Sequence, residues 1–149
     1  MLHPTPPRIV AVDYGRKRVG LAVSDPLRLF AQPYGTYPPE EALRVLQALH
    51  DREGIATLVI GWPLTAQGTE GEATAEVARF IRRLERLLPD VPIVRWDERY
   101  TSELARVRLR EVGSSGKKRR DRGRIDQMAA ALLLQEYLAR QEPNAPLAE

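Results

Sequence analysis

Two rhythms of apolar residues run along this chain. Short unbroken runs, Ile9-Val10-Ala11-Val12, Val19-Gly20-Leu21-Ala22-Val23 and Leu58-Val59-Ile60, read as buried strands. Residues 8–13 and 18–24 form a pair of strands joined by a short turn, the signal of a hairpin. Leu29 to Tyr37 supplies a third strand, and Pro33 inside it fits an edge position because proline cannot donate to a sheet ladder. The other rhythm is helical. After Pro38-Pro39, Ala42, Leu43, Leu46 and Leu49 keep to one face, and Gly54 closes the helix. Ile55 to Ile60 is the next strand, ending at Gly61-Trp62-Pro63, and a polar loop, Thr65 to Gly71, follows. Val77, Phe80, Ile81, Leu84, Leu87 and Leu88 recur at helical spacing until Pro89. Pro92 to Trp96 is a further strand. Thr101 or Ser102 can cap a helix with Leu104, Ala105, Leu109 and Val112 on its apolar face, broken at Gly113-Ser114-Ser115-Gly116. A last helix is expected from about Arg124 to Arg140.

That order, three strands and then helices alternating with strands, predicts an α/β fold. A three-stranded antiparallel meander continues into parallel strands, with helices on both faces of the mixed sheet. The 149 residues, 43% of them hydrophobic, suit a single domain over 1–149, with 1–7 and 141–149 as loose tails. No apolar run approaches the roughly 18–20 residues that cross a bilayer. The N-terminus lacks the basic and apolar parts of a signal peptide, and there is no cysteine, so a cytoplasmic protein without disulfides is expected. The net charge is +3, and six of the 23 basic residues fall in one run: Lys117, Lys118, Arg119, Arg120, Arg122 and Arg124. Such a run reads as a basic loop, solvated or laid against a nucleic-acid backbone.

Ligands in mixed sheets of this kind lie at the carboxyl ends of the parallel strands. Asp13 ends the first apolar run there, where a carboxylate is costly to desolvate without a cation or hydrogen bonds. Asp97-Glu98 ends another strand; Glu98 is favoured for its longer reach, and Asp97 is the substitute. Asp126 shares a helical stripe with Ala130, Leu133 and Tyr137 and should face inward from the first turn of the last helix, although an acid there also suits the helix dipole. Three acids on separate elements suggest a site for a hard cation, Mg²⁺ or Mn²⁺, which takes carboxylates, waters and substrate phosphate. Such ions can activate water and stabilise the leaving oxygen of a phosphodiester. Neither histidine suits a zinc site: His3 lies in a tail and His50 at a helix end. Arg16, Lys17 and Arg18 in the first turn, Arg99 and the basic run are candidate phosphate contacts, with a surface ion pair to Asp97 or Glu98 the alternative for Arg99.

Four segments together resemble the YqgF/RuvX family. They are Ala11-Val12-Asp13-Tyr14-Gly15-Arg16-Lys17-Arg18-Val19-Gly20-Leu21-Ala22-Val23-Ser24-Asp25; Val59-Ile60-Gly61-Trp62-Pro63-Leu64 with Gly68-Thr69; Asp97-Glu98-Arg99-Tyr100-Thr101-Ser102; and Ile125-Asp126-Gln127-Met128-Ala129-Ala130. They occur in family order and span nearly the whole chain. Trp62 and Tyr100 stand where that pattern more often has smaller or aliphatic residues. The resemblance implies an RNase H-like fold related to Holliday-junction resolvases, with Asp13, Glu98 and Asp126 as metal-binding catalytic acids. It also implies a nuclease that matures the 5′ end of pre-16S ribosomal RNA.

The expected function is therefore a hydrolase, a metal-dependent endonuclease acting on structured RNA in ribosome biogenesis. The rivals are a Holliday-junction resolvase acting on DNA as a dimer, and a non-catalytic nucleic-acid-binding factor in transcription or ribosome assembly.

Overall fold

The structure, a computed structural model, describes residues 6–101 and 119–141. Its strands are β1 (Arg8–Tyr14), β2 (Val19–Ser24), β3 (Ala31–Tyr37), β4 (Ile55–Trp62) and β5 (Ile93–Asp97). Among the described residues the helices are α1 (Pro39–Glu53), α2 (Glu72–Leu87) and α3 (Arg119–Arg140), with a 3₁₀ turn at Glu98–Tyr100. The helix expected from Thr101 or Ser102 to Val112, residues Lys117 and Lys118, and most of both tails lie outside the described residues.

The five strands form one sheet in the order β3-β2-β1-β4-β5. β1–β2 and β2–β3 pair antiparallel, whereas β1–β4 and β4–β5 pair parallel. This is the expected mixed sheet, an antiparallel meander continued by parallel strands. β1 and β4 are central and covered on both sides, which is why their sequences are continuous apolar runs rather than alternating ones. β3 is an edge strand, and its Pro33 sits beside a register shift against β2, where a missing N–H costs least.

The two faces of the sheet are packed differently. Val10, Val12, Leu21, Leu58 and Ile60 point toward α1 and α2 and join Leu46, Leu49, Phe80 and Leu84 in the larger core. Each such fully buried side chain contributes roughly 1.5–3 kcal/mol. Ile9, Ala11, Ala22 and Val59 point the other way, under Ala130, Leu134 and Leu138 of α3. Small residues on that face let α3 lie close to the strands.

Helix ends follow local chemistry. Pro39 opens α1, Glu40 and Glu41 sit favourably in its first turn, and Gly54 ends it at φ 83°, a left-handed conformation suited to glycine. His50 serves the fold rather than a metal, since its Nδ1 accepts the backbone N–H of Ile55, 2.9 Å away, at the start of β4. The α3 helix starts at Arg119, earlier than the sequence pattern predicts. Arginine is a good helix former, and the Gly123 carbonyl within the helix accepts the Thr36 hydroxyl. The segment Arg119–Arg124 is thus helical rather than part of a loop. Among the described residues no helix is long and apolar enough to cross a membrane.

Candidate active site

Asp13 is the penultimate residue of β1 and pairs across the sheet with Gly20 of β2. Alternation along β1 turns it to the α3 face with Ile9 and Ala11, and it is only 7% exposed. Gly20 matters because of what lies above it. A Cβ there would collide with the backbone carbonyl of Asp126 and come within 2.9 Å of the Gln127 nitrogen. The missing side chain is the space into which α3 descends, and it brings Asp126 over the end of β1.

Asp126 lies about two turns into α3, not in its first turn as the sequence pattern predicts. The helix dipole acts mainly within the first turn, so it does not account for this acid. The Arg18 guanidinium does: its Nε donates to Asp126 Oδ2 at 2.5 Å. Arg18 comes from the end of the β1–β2 turn, a turn tight enough that a Cβ on Gly15 would meet the Arg18 carbonyl at 2.7 Å. Asp13, Lys17, Arg18 and Asp126 line one cleft.

Glu98 lines an adjacent cleft with Gly61, Arg16 and Glu76. Tyr14, Gly15 and Arg16 belong to both clefts, so the acids flank a single turn. Among the described residues, no three His, Cys, Asp or Glu side chains gather into one group of the kind that holds a metal ion. Asp13 and Asp126 share a cleft; Glu98 is across the turn from them. The donors offered are carboxylate oxygens, with no thiolate and no imidazole, which fits a hard divalent cation.

Asp97 and Glu98 have different surroundings in the turn after β5. Asp97 caps the 3₁₀ turn, accepting the Arg99 N–H at 2.9 Å and the Arg99 guanidinium at 2.7 Å. The hydrogen bonds from Arg99 outweigh desolvation and hold the Asp97 carboxyl below the usual aspartate range. Asp97 accepts from Arg99, and Glu98 lines the cleft. Arg99 makes the ion pair that competed with a phosphate role, and its guanidinium also lies against Gly68 of the polar loop.

Other basic candidates separate in the same way. Arg16 reaches Glu76 of α2 at 3.0 Å while remaining largely exposed. Arg122 and Arg124 are exposed on the first turns of α3, and Arg119 and Arg120 begin that helix. Glu76 is not legible as a site residue in the sequence, where it reads as one more polar position on an amphipathic helix. Gly61 is a second residue whose importance emerges only in three dimensions. A Cβ there would lie 2.7 Å from Glu98 Oε1 and 3.0 Å from Leu133 Cδ1. Both neighbours are ends of flexible side chains, so Gly61→Ala should cost only about 1 kcal/mol of stability. If Glu98 serves the activity expected from the sequence, the variant should nevertheless lower turnover at least tenfold by driving Glu98 aside. Equal losses of turnover and folding in a urea titration run beside the assay would count against this placement of Glu98.

The profile of the family described as "RuvX: Holliday junction resolvase" matches residues 7–140. A protein of Salinibacter ruber named "Putative pre-16S rRNA nuclease" is 57% identical over 133 residues, covering 89% of this chain and 93% of its own. A protein of the same name from Chlorobaculum tepidum is 45% identical over 131 residues, covering 88% and 92%. Among solved structures, the chain described as "T. thermophilus RuvC in complex with Holliday junction substrate" aligns with TM-score 0.49 and 17% identity, over 93% of this chain and 99% of that one. With a family profile spanning nearly every described residue and relatives this similar over most of their length, this chain belongs to the RuvX family.

Proposed function

We propose that this chain is a divalent-metal-dependent endonuclease that trims the 5′ end of pre-16S ribosomal RNA during ribosome biogenesis. One observation carries the reading. Asp13 and Asp126 occupy one cleft at the carboxyl end of the parallel strands, and Glu98 faces the next cleft across the Tyr14–Arg16 turn. The names of the relatives supply the RNA substrate.

Asp13, Asp126 and Glu98 would hold Mg²⁺ or Mn²⁺, which when bound neutralises phosphate charge and lowers the pKa of an attacking water. The chain's own residues do the rest. Burial of Asp13 at the end of a rigid central strand fixes its carboxylate. Arg18, donating to Asp126 Oδ2, orients that carboxylate. Arg16 and Lys17, on the turn between the clefts, meet the phosphates on either side of the bond to be cut. Water oxygen forms a new bond to phosphorus as an existing phosphorus–oxygen bond of the strand breaks, leaving a phosphate on one product and a hydroxyl on the other.

A second reading, cleavage of a four-way DNA junction, is favoured by the family's description. The two are separated by incubating the purified chain with a labelled pre-16S 5′ leader and with a mobile four-way junction, each in Mg²⁺, Mn²⁺ or EDTA. Cutting of the leader alone, abolished by EDTA, is the expected result. Cutting of the junction alone transfers the assignment to a resolvase, and binding without cutting in every arm makes the chain a nucleic-acid-binding factor.

A further inference from the structure

Arg95 stands apart from the arginines that pair with acids. Arg8, Arg16, Arg18, Arg83 and Arg99 each hold a carboxylate. Arg95 has no hydrogen bond and no ion pair among the described residues; its guanidinium lies instead over the ring of Trp62, 4.1 Å from the centroid. Strand register explains the stack. Arg95 and Trp62 come from the adjacent strands β5 and β4, where Ile60 pairs with Arg95 and Trp62 with Asp97. Trp62 is 7% exposed and serves as a fixed core platform, whereas Arg95 is exposed. A planar guanidinium pinned on an aromatic face loses little freedom on binding, and its N–H edge matches two phosphate oxygens at once.

The position matters as much as the chemistry. Trp62 is the neighbour of Gly61, which faces Glu98, and pairs with Asp97, the residue before Glu98. The stack lines a cleft with Gly71 and Thr74, at the same carboxyl end of the strands as the acids but on the α2 side. Glu70 shares this cleft without pairing with Arg95.

We infer that the Arg95–Trp62 stack binds a backbone phosphate of the nucleic-acid strand flanking the bond to be cut. The inference deepens the nuclease reading and rests on it. A strand crossing the carboxyl ends of β4 and β5 from the acid clefts meets Arg95 next. Glu70 repels that strand and narrows where its phosphate can sit.

The test is anisotropy titration of the full chain in EDTA, with a labelled pre-16S 5′ leader and a labelled four-way DNA junction. Salt is varied between about 50 and 200 mM. Arg95→Gln should weaken binding about fivefold and flatten the slope of log affinity against log salt by about one. Arg95→Lys should keep the slope and lose part of the affinity, because a point charge replaces a two-pronged contact. Glu70→Gln should bind about twofold tighter. In cleavage assays Arg95→Gln should raise KM with kcat unchanged, and a substrate shortened on the flanking side should be indifferent to it. Loss on both nucleic acids supports a backbone contact, and loss on one supports it and names the strand. Unchanged affinity and slope in Arg95→Gln, with cleavage intact, overturns the inference and spares the nuclease reading. Weakened binding by a chain that cuts nothing overturns the nuclease reading and leaves the phosphate contact standing.

Discussion

Asp13→Asn yields a folded protein that no longer cuts nucleic acid in Mg²⁺ or Mn²⁺. The substitution keeps the shape of the side chain and removes its charge from a position that is 7% exposed. If Asp13 holds the cation as proposed, losing its carboxylate forfeits several kcal/mol of charge stabilisation in the transition state. That corresponds to a fall of roughly a thousandfold in rate. The amide keeps the shape of the carboxylate, so without metal the variant should still unfold cooperatively in a urea titration. Added Mn²⁺ should raise the melting temperature of the parent by mass action and that of the variant much less. Cleavage by Asp13→Asn within tenfold of the parent rate would remove this acid from the chemistry.

The largest effect on folding is expected from a residue with no side chain. Gly20→Ala places a methyl group against the backbone of Asp126 and Gln127, 2.9 Å from the Gln127 nitrogen. Backbone cannot rotate aside as a side chain can. Ala129, Ala130, Leu133 and Leu134 of the same helix are buried, so the whole element must lift. Overpacking of this kind costs roughly 3 kcal/mol. It also carries Asp126 away from Asp13, so turnover should collapse even under conditions where the variant remains folded. Gly71→Ala is the matched control, since a Cβ there meets nothing within 4 Å. If urea midpoints show Gly20→Ala no less stable than Gly71→Ala, the close descent of α3 is wrong.

Much of this architecture is written in short-range pattern. Pro33 marks an edge strand, the spacing of Ala42, Leu43, Leu46 and Leu49 marks one face of α1, and the unbroken run Leu58-Val59-Ile60 marks a strand covered on both sides. These features depend on neighbours a few residues away. What depends on distant partners is hidden. Nothing beside Gly20 in the chain announces a helix more than a hundred residues later, and nothing beside Gly61 announces Glu98. The start of α3 is misplaced by pattern because the basic run reads as a loop, whereas Arg119 to Arg124 are helical and Thr36, from another strand, donates to the Gly123 carbonyl. Asp97 and Glu98 cannot be ranked by alternation alone, because the strand stops between them and a 3₁₀ turn, capped by Asp97, takes over. The roles of the acids come from a family resemblance and from the chemistry of carboxylates; the folded chain adds which of them share a cleft.

The unequal thickness of the two layers has a consequence for how such a chain can diverge. Beneath α1 and α2, Val10, Val12, Leu21, Leu58 and Ile60 form a deep layer in which one residue's gain in volume can be offset by a neighbour's loss. Beneath α3, Ala11 and Ala22 carry the smallest side chains and Gly20 and Gly61 carry none, so there is no volume left to trade. Drift should therefore scramble one side of the sheet while leaving the other nearly still. A search for remote kin would do better to follow that trace of absent side chains beside a strand-end aspartate than to follow the aliphatic core.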